Sequence, residues 1–212
     1  MQIERLVVGP LQTNAYLLKD EESGAGAVVD PGGDADRIVR RCRDAEMTPV
    51  FVVNTHAHVD HVGANAALMR AFPDADLCIG EGDAERLRNP AENLAAAFGS
   101  DLESSEPDRL LREGDELAFG ETKLRVIETP GHTPGAISLL AEDESPPRLF
   151  CGDLIFRRGV GRTDLPGGDT EALVRSIREK VFTLPGETVI HSGHGEDTTV
   201  DEERESNPFL SR

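Results

Sequence analysis

At 212 residues and 38% hydrophobic content the chain can bury one sizeable core or two small ones, and a single domain over residues 1–212 is the expectation. Forty acidic against 22 basic residues leave a formal net charge of −18, with lysine only at Lys19, Lys123 and Lys180. That argues against a nucleic-acid or anionic-membrane partner, since both are gripped by clustered Lys and Arg. MQIERLVVGPLQTNAYLL has no basic start followed by a long apolar run, and no stretch nears the ~18 apolar residues of a membrane span. Cys42, Cys78 and Cys151 are odd in number and scattered, so buried free thiols in a cytoplasmic protein are expected rather than a disulfide framework. The acidity also fits a surface adapted to high salt, which screens self-repulsion, or simply an acidic protein. A thermal melt from low to molar KCl separates the two, because only the first predicts a rising midpoint.

In chain order, IERLVV, AYLLK, AVVD and VFVVN read as strands, with the helical pattern DADRIVRRCRDAEM between the last two and GANAALMRAF after them. DLESSEPDR reads as an exposed loop; TKLRVIE, AISLLA and RLFCGDLI read as strands, with EDESPP a second loop. DTEALVRSIREKVF is a helix, TVIHS a strand, and TTVDEERESNPFL a short terminal helix with capping-box spacing from Thr199 to Glu202. Strand pairs without intervening helices, mixed with strand–helix units, predict an α/β protein with two packed sheets and helices outside.

Half of the six histidines fall within THAHVDHVG, which joins the VFVVN strand to the next helix. Extended residues two apart face the same way, so His56 and His58 converge on one point, while the turn into the helix swings Asp60 and His61 toward another. Imidazole and carboxylate suit zinc or iron, and each half-site needs ligands from elsewhere in the chain. His132 in TPGHTPG, Asp153 in FCGDLIF and His194 in HSGHGEDTT, each framed by glycine at a strand edge, supply the candidates. Asp30 in VVDPGG can orient a ligand or cap the strand-to-helix turn, and Thr55 and Thr133 flank ligands and can act in the same way. Arg162 in GRTD can contact substrate or pair with Asp164 to hold its loop. Cys151 reads as a buried thiol and His191 as a strand residue outside the ligand set.

These motifs, T-H-A-H-V-D-H, T-P-G-H-T-P-G, F-C-G-D and G-H-G, resemble the metal-binding motifs of the metallo-β-lactamase-fold hydrolases over nearly the whole chain. TNAYLL, VVDPGG, FRRGVGRTDLPGGD and GHGEDTTVDEERESNPFL are similar to the short glyoxalase II-type, hydroxyacylglutathione hydrolase-like group. The resemblance implies a four-layer αββα sandwich with His56, His58 and His132 on one metal, Asp60, His61 and His194 on a second, and Asp153 bridging them. It implies two divalent ions, zinc first with iron or manganese as alternatives. Two cations about 3.5–4 Å apart share a water and lower its pKa from 15.7 toward ~7, with Asp60 or Asp153 handling protons. A thiolate leaves readily, so the implied substrate is an S-2-hydroxyacyl thioester such as S-lactoylglutathione. The best-known glyoxalase II enzymes carry a further C-terminal helical domain that grips glutathione; this sequence ends just after NPFL, and no such domain is expected.

Three readings stay open on the sequence: the dinuclear thioesterase, a mononuclear-iron persulfide dioxygenase that shares GRTD, and a metal-binding module serving a partner such as a flavin protein. The acidic surface weighs against an RNA nuclease, and the missing export signal against a lactamase.

Overall fold

In the computed structural model, which describes residues 1–100, 102 and 104–210, the strands bury both faces. Tyr16 and Leu18 of β2 (Thr13–Lys19) point into one core while Ala15 and Leu17 point into another. The same alternation sets Ala27 and Val29 against Val28 in β3 (Ala25–Val29). This is why the strands read as unbroken apolar runs rather than as apolar/polar alternation.

β1 (Gln2–Val8) pairs antiparallel with β2, and β2 with β3; α1 (Ala35–Asp44) then returns the chain to β4 (Thr48–Asn54), parallel to β3. The short α2 (Val59–Val62) and α3 (Asn65–Ala71) lead to β5 (Asp76–Gly80) and β6 (Arg109–Leu111), which complete a six-stranded sheet in the order β1-β2-β3-β4-β5-β6. β7 (Glu116–Phe119), β8 (Thr122–Glu128), β9 (Ile137–Ala141) and β10 (Arg148–Gly152) form most of the second sheet. After the ribbon β11 (Ile155–Phe156) with β12 (Gly159–Val160) comes α4 (Thr170–Ser176). β13 (Val189–Ser192), β14 (Thr198–Thr199) and α5 (Val200–Ser206) close the chain, and the second sheet runs β14-β13-β10-β9-β8-β7.

Three cores fill the spaces between four layers. Tyr16, Phe51, Leu117, Leu124, Leu139 and Phe150 meet between the sheets. Ile38 and Cys42 of α1 and Leu68 of α3 cover the first sheet, and Leu173 of α4 and Val200 of α5 cover the second. The αββα sandwich implied by the sequence is therefore present. Cys42, Cys78 and Cys151 are buried and free, and burial pushes the Cys151 thiol up to about 12. Among the described residues no helix is long and apolar enough to cross a membrane.

Several elements differ from the sequence reading. β5, β6 and β7 lie where no strand was expected, and RLFCGDLI breaks at Asp153 instead of running on as one strand. DTEALVRSIREKVF begins as α4 but widens over Ile177–Val181, where Phe182 N–H reaches back to the Ile177 carbonyl at 2.8 Å. The terminal helix is confined to α5, because Thr198 and Thr199 pair with β13. Only half of its capping box forms: Thr199 Oγ1 accepts from Glu202 N–H at 3.2 Å, while the Glu202 carboxylate accepts from Thr198 instead of returning to residue 199. Asp101 and Glu103 of the DLESSEPDR stretch lie outside the described residues, and Arg109 at its end belongs to β6.

Candidate metal centre

Four strand ends deliver the candidate ligands to one edge of the sandwich. His56 and His58 follow β4, His132 follows β8, Asp153 follows β10 and His194 follows β13, while α2 carries Asp60 and His61. The register of β10 against β13 shifts between Phe150 and Gly152, which turns Asp153 out of the strand. Backbones approach very closely here. A Cβ on Gly193 would stand 2.3 Å from Asp153 Oδ1 and 2.7 Å from His61 Cε1, so only glycine fits.

The potential donor atoms fall into three overlapping groups, each within 4.8 Å: His56, His58 and His132; His56, His61 and Asp153; and Asp60, His61 and His194. In the first, His58 Nδ1 lies 3.1 Å from His56 Nε2 and 2.9 Å from His132 Nε2. Outer contacts fix which nitrogens face inward. His132 Nδ1 donates to the Arg162 carbonyl at 2.7 Å, which leaves a lone pair on Nε2. Thr55 Oγ1 donates to Asp30 Oδ2 at 2.7 Å and is thereby free to accept from His56 Nδ1 at 3.2 Å, which sets His56 in the same way.

Three inward nitrogens with at most one proton among them leave lone pairs facing one another at about 3 Å. A tetrahedral cation with metal–nitrogen bonds of ~2.0–2.1 Å places its ligands about 3.3–3.4 Å apart and satisfies all of them. Burial first, and then neighbouring imidazoles, hold His56 well below its ordinary value and His58 down to about 3, so both rings stay neutral. Buried His61 Nε2 and Asp153 Oδ1 have no hydrogen-bond partner. In an interior where polar groups are normally paired, these atoms and the crowded lone pairs fit a metal centre.

The third group, together with Asp153 of the second, is ionic. Asp60 Oδ2 stands 3.2 Å from His194 Nε2 and 3.6 Å from His61 Nε2, and Asp153 Oδ1 is 3.4 Å from His61 Nε2. Burial opposes charge on His61 but the carboxylates of Asp60, Asp30 and Asp153 prevail, lifting it well above the imidazole range. His194 is raised for the same reason, chiefly by Asp60. Burial likewise opposes the charge on Asp60 and Asp153, and His61 outweighs it, so both carboxyls lie below their usual range. Asp153 spans the first and third groups, because its Oδ2 lies 3.7 Å from both His132 and His194.

Of the outer residues, Asp30 proves more central than a turn cap. Its two oxygens accept from Thr55 N–H, Thr55 Oγ1 and His61 Nδ1 at 2.7, 2.7 and 2.9 Å, and it leaves the α1 cap position to Asp34. The buried Thr133 hydroxyl has no hydrogen-bond partner. The exposed Arg162 side chain pairs with Asp164 at 2.8 Å, and its carbonyl accepts from His132 Nδ1. His191 sits in β13 with Nδ1 3.2 Å from Asp197, outside all three groups. Sequence reasoning missed Thr13, whose hydroxyl donates to Asp60 Oδ2 at 3.1 Å and whose backbone bridges to His194. It also missed buried Asp83, which accepts from Ala57 N–H at 3.0 Å and Gly135 N–H at 2.8 Å and so ties the two histidine loops together. Thr13 lies inside the TNAYLL motif, whereas nothing local marks Asp83.

The family model of the metallo-beta-lactamase superfamily matches residues 8–194. The chain belongs to that superfamily. It is 37% identical over 213 residues to the hydroxyacylglutathione hydrolase GloC of Haemophilus influenzae, covering 100% of this chain and 99% of that one. It is 33% identical over 204 residues to the mitochondrial persulfide dioxygenase ETHE1 of Bos taurus, covering 94% and 72%. Among solved structures, the BLEG-1 B3 metallo-beta-lactamase superposes with a TM-score of 0.93 at 36% identity over the whole of both chains. TTHA1623 in a di-iron-bound form gives 0.86 at 37%, covering 98% of this chain and 100% of that one. The metallo-hydrolase chemistry of the superfamily and the clustered His and Asp donors together make this chain a metal-dependent enzyme.

Proposed function

We propose that this metallo-hydrolase is a dinuclear thioesterase that cleaves S-2-hydroxyacyl thioesters such as S-lactoylglutathione. The observation that carries the reading is the pair of adjacent donor groups with Asp153 reaching both. Two divalent cations held there would supply a water activated at neutral pH and polarise the substrate carbonyl. His56, His58 and His132 would hold one, and Asp60, His61 and His194 the other. Zinc is the first assignment, and the di-iron form of the similar TTHA1623 makes iron the first alternative.

The protein's own groups do the remaining work. Asp30 and Thr55 fix the tautomers of His61 and His56, and Thr13 holds Asp60 in place. Asp60 and Asp153 would take the proton lost by the attacking water. A thiolate needs no general acid to leave, so the reading asks for no acid beyond the donor groups themselves. Similarity to GloC supports the acyl-thioester assignment, and the net charge of −18 favours a small molecule over a nucleic acid.

Similarity to ETHE1 supports a second reading, a mononuclear-iron persulfide dioxygenase. The hydrolase is preferred because a single metal leaves Asp60, His61 and His194 as a partly buried ionic cluster with no assigned role. Thiol release from S-D-lactoylglutathione by metal-loaded protein, beside Asp153→Ala and a chelated sample and at low and molar salt, tests the proposal. Release lost in both controls is expected; no release in any salt from metal-loaded wild type removes this substrate.

A further inference from the structure

Beside the metal centre lies a cavity of about 570 Å³ that Asp60 and Val59 border on one side. Its floor runs from Gly63, between α2 and α3, along α3 to Ala67 and to Arg70 in the last turn. Leu11 and Phe98 wall it, and they are 41% and 57% exposed. Five large apolar side chains are exposed among the described residues, Val7, Leu11, Phe98, Leu110 and Phe209, so two of the five flank this one cavity. Apolar side chains left in water beside a reactive centre mark a ligand surface. Arg70 supplies the charge, because its guanidinium has no ion pair or hydrogen bond among the described residues. In a chain of net charge −18, a cation on such a wall with no partner among the described residues favours the approach of an anionic ligand.

The geometry points to this cavity as the seat of the thiol-bearing half of the substrate, a carrier with an apolar stretch against Leu11 and Phe98 and a carboxylate or phosphate paired with Arg70. The assignment rests on the thioesterase reading above. The space far exceeds what a three-carbon 2-hydroxyacyl group fills, and its volume lies in the range that takes drug-sized ligands. It is the larger, charged half of the thioester that matches both the volume and the arginine.

Three thioethers, which cannot be hydrolysed, test binding apart from catalysis: S-hexylglutathione with carboxylates, S-hexyl-coenzyme A with phosphates, and neutral S-hexyl-N-acetylcysteamine. Calorimetry on metal-loaded protein should show at least one anionic thioether binding roughly tenfold or more tighter than the neutral one. Arg70→Ala should weaken that ligand about tenfold, Arg70→Lys should recover part of the loss, and Arg43→Ala on the exposed face of α1 should change nothing. With the matching lactoyl thioester, Arg70→Ala should raise KM by a similar factor while kcat stays within about twofold. Which anionic thioether wins identifies carboxylate or phosphate as the group read by Arg70. Equal affinity for all three thioethers, no binding of any below millimolar concentration, or the same affinity in Arg70→Ala would overturn the inference. Selective, Arg70-dependent binding with no hydrolysis of any lactoyl thioester would instead overturn the thioesterase reading and leave the cavity assignment standing.

Discussion

The two halves of the metal centre solve the same electrostatic problem in opposite ways. The histidine half, His56, His58 and His132, sits in surroundings dry enough to keep His56 and His58 unprotonated, so its lone pairs are ready but crowded. The acidic half, Asp60, His61 and His194 with Asp153 and Asp30 beside it, holds its carboxylates against raised imidazoles and is already internally compensated. A cation entering the first half finds His56 and His58 already unprotonated. Entry into the second competes with the proton on His61, and with one that the raised His194 holds more tightly than a free imidazole does, so affinity there falls more steeply as pH drops. Preorganisation in this centre is a matter of protonation as well as of position.

The largest way to break this contrast is to remove what the halves share. Asp153→Ala should lower thioester hydrolysis by roughly 10³-fold or more and leave about one metal per chain, read by kinetics and elemental analysis. Next come the matched variants His61→Gln and His58→Gln in chelated protein. His61→Gln leaves Asp30, Asp60 and Asp153 without their main cation and should cost about 3–5 kcal/mol in urea unfolding at pH 7. His58→Gln should cost far less at pH 7 and behave differently with acid. The folded-state pKa of His58 is about 3 against 6.5 for the free side chain, so the unfolded chain binds its proton first and stability falls as pH drops below 6.5. At pH 5 that penalty is about 2 kcal/mol, from 1.5 pH units at ~1.36 kcal/mol each, and His58→Gln should abolish it. Equal pH dependence in the two variants would sink the distinction between the halves.

Smaller effects sharpen the comparison. Asp30 touches both halves, directing His56 through Thr55 and His61 directly, so Asp30→Asn should weaken metal binding by about 10–100-fold in competition with a chelator. Arg162→Ala should move metal affinity less than about threefold, because His132 uses the carbonyl and the exposed Arg162–Asp164 pair contributes at most ~1 kcal/mol.

What could be read in advance followed from locality. THAHVDHVG disclosed its ligands because i, i+2 geometry and a following helix act within a few residues, and the buried strands declared themselves through continuous apolar runs. The missed pieces depend on distant partners. β6 and β7 are three and four residues long and are strands only because β5 and β8 lie beside them. Thr13 and Asp83 serve the centre across 47 and 26 residues of sequence, and the Arg162 contribution comes from a carbonyl that any residue carries. The Thr133 hydroxyl, next to His132 in sequence, makes no hydrogen bond, since adjacency along an irregular loop does not fix where a side chain points.

The claim on which the rest depends is that both halves hold a cation at once. Metal content per folded chain after reconstitution with zinc or iron at pH 7.5, with Asp153→Ala and His194→Ala beside the wild type, tests it most directly. Two ions per wild-type chain and about one in each variant is the result this account predicts. One ion in the wild type, unchanged by His194→Ala, would contradict it and turn the acidic half into a structural ion cluster.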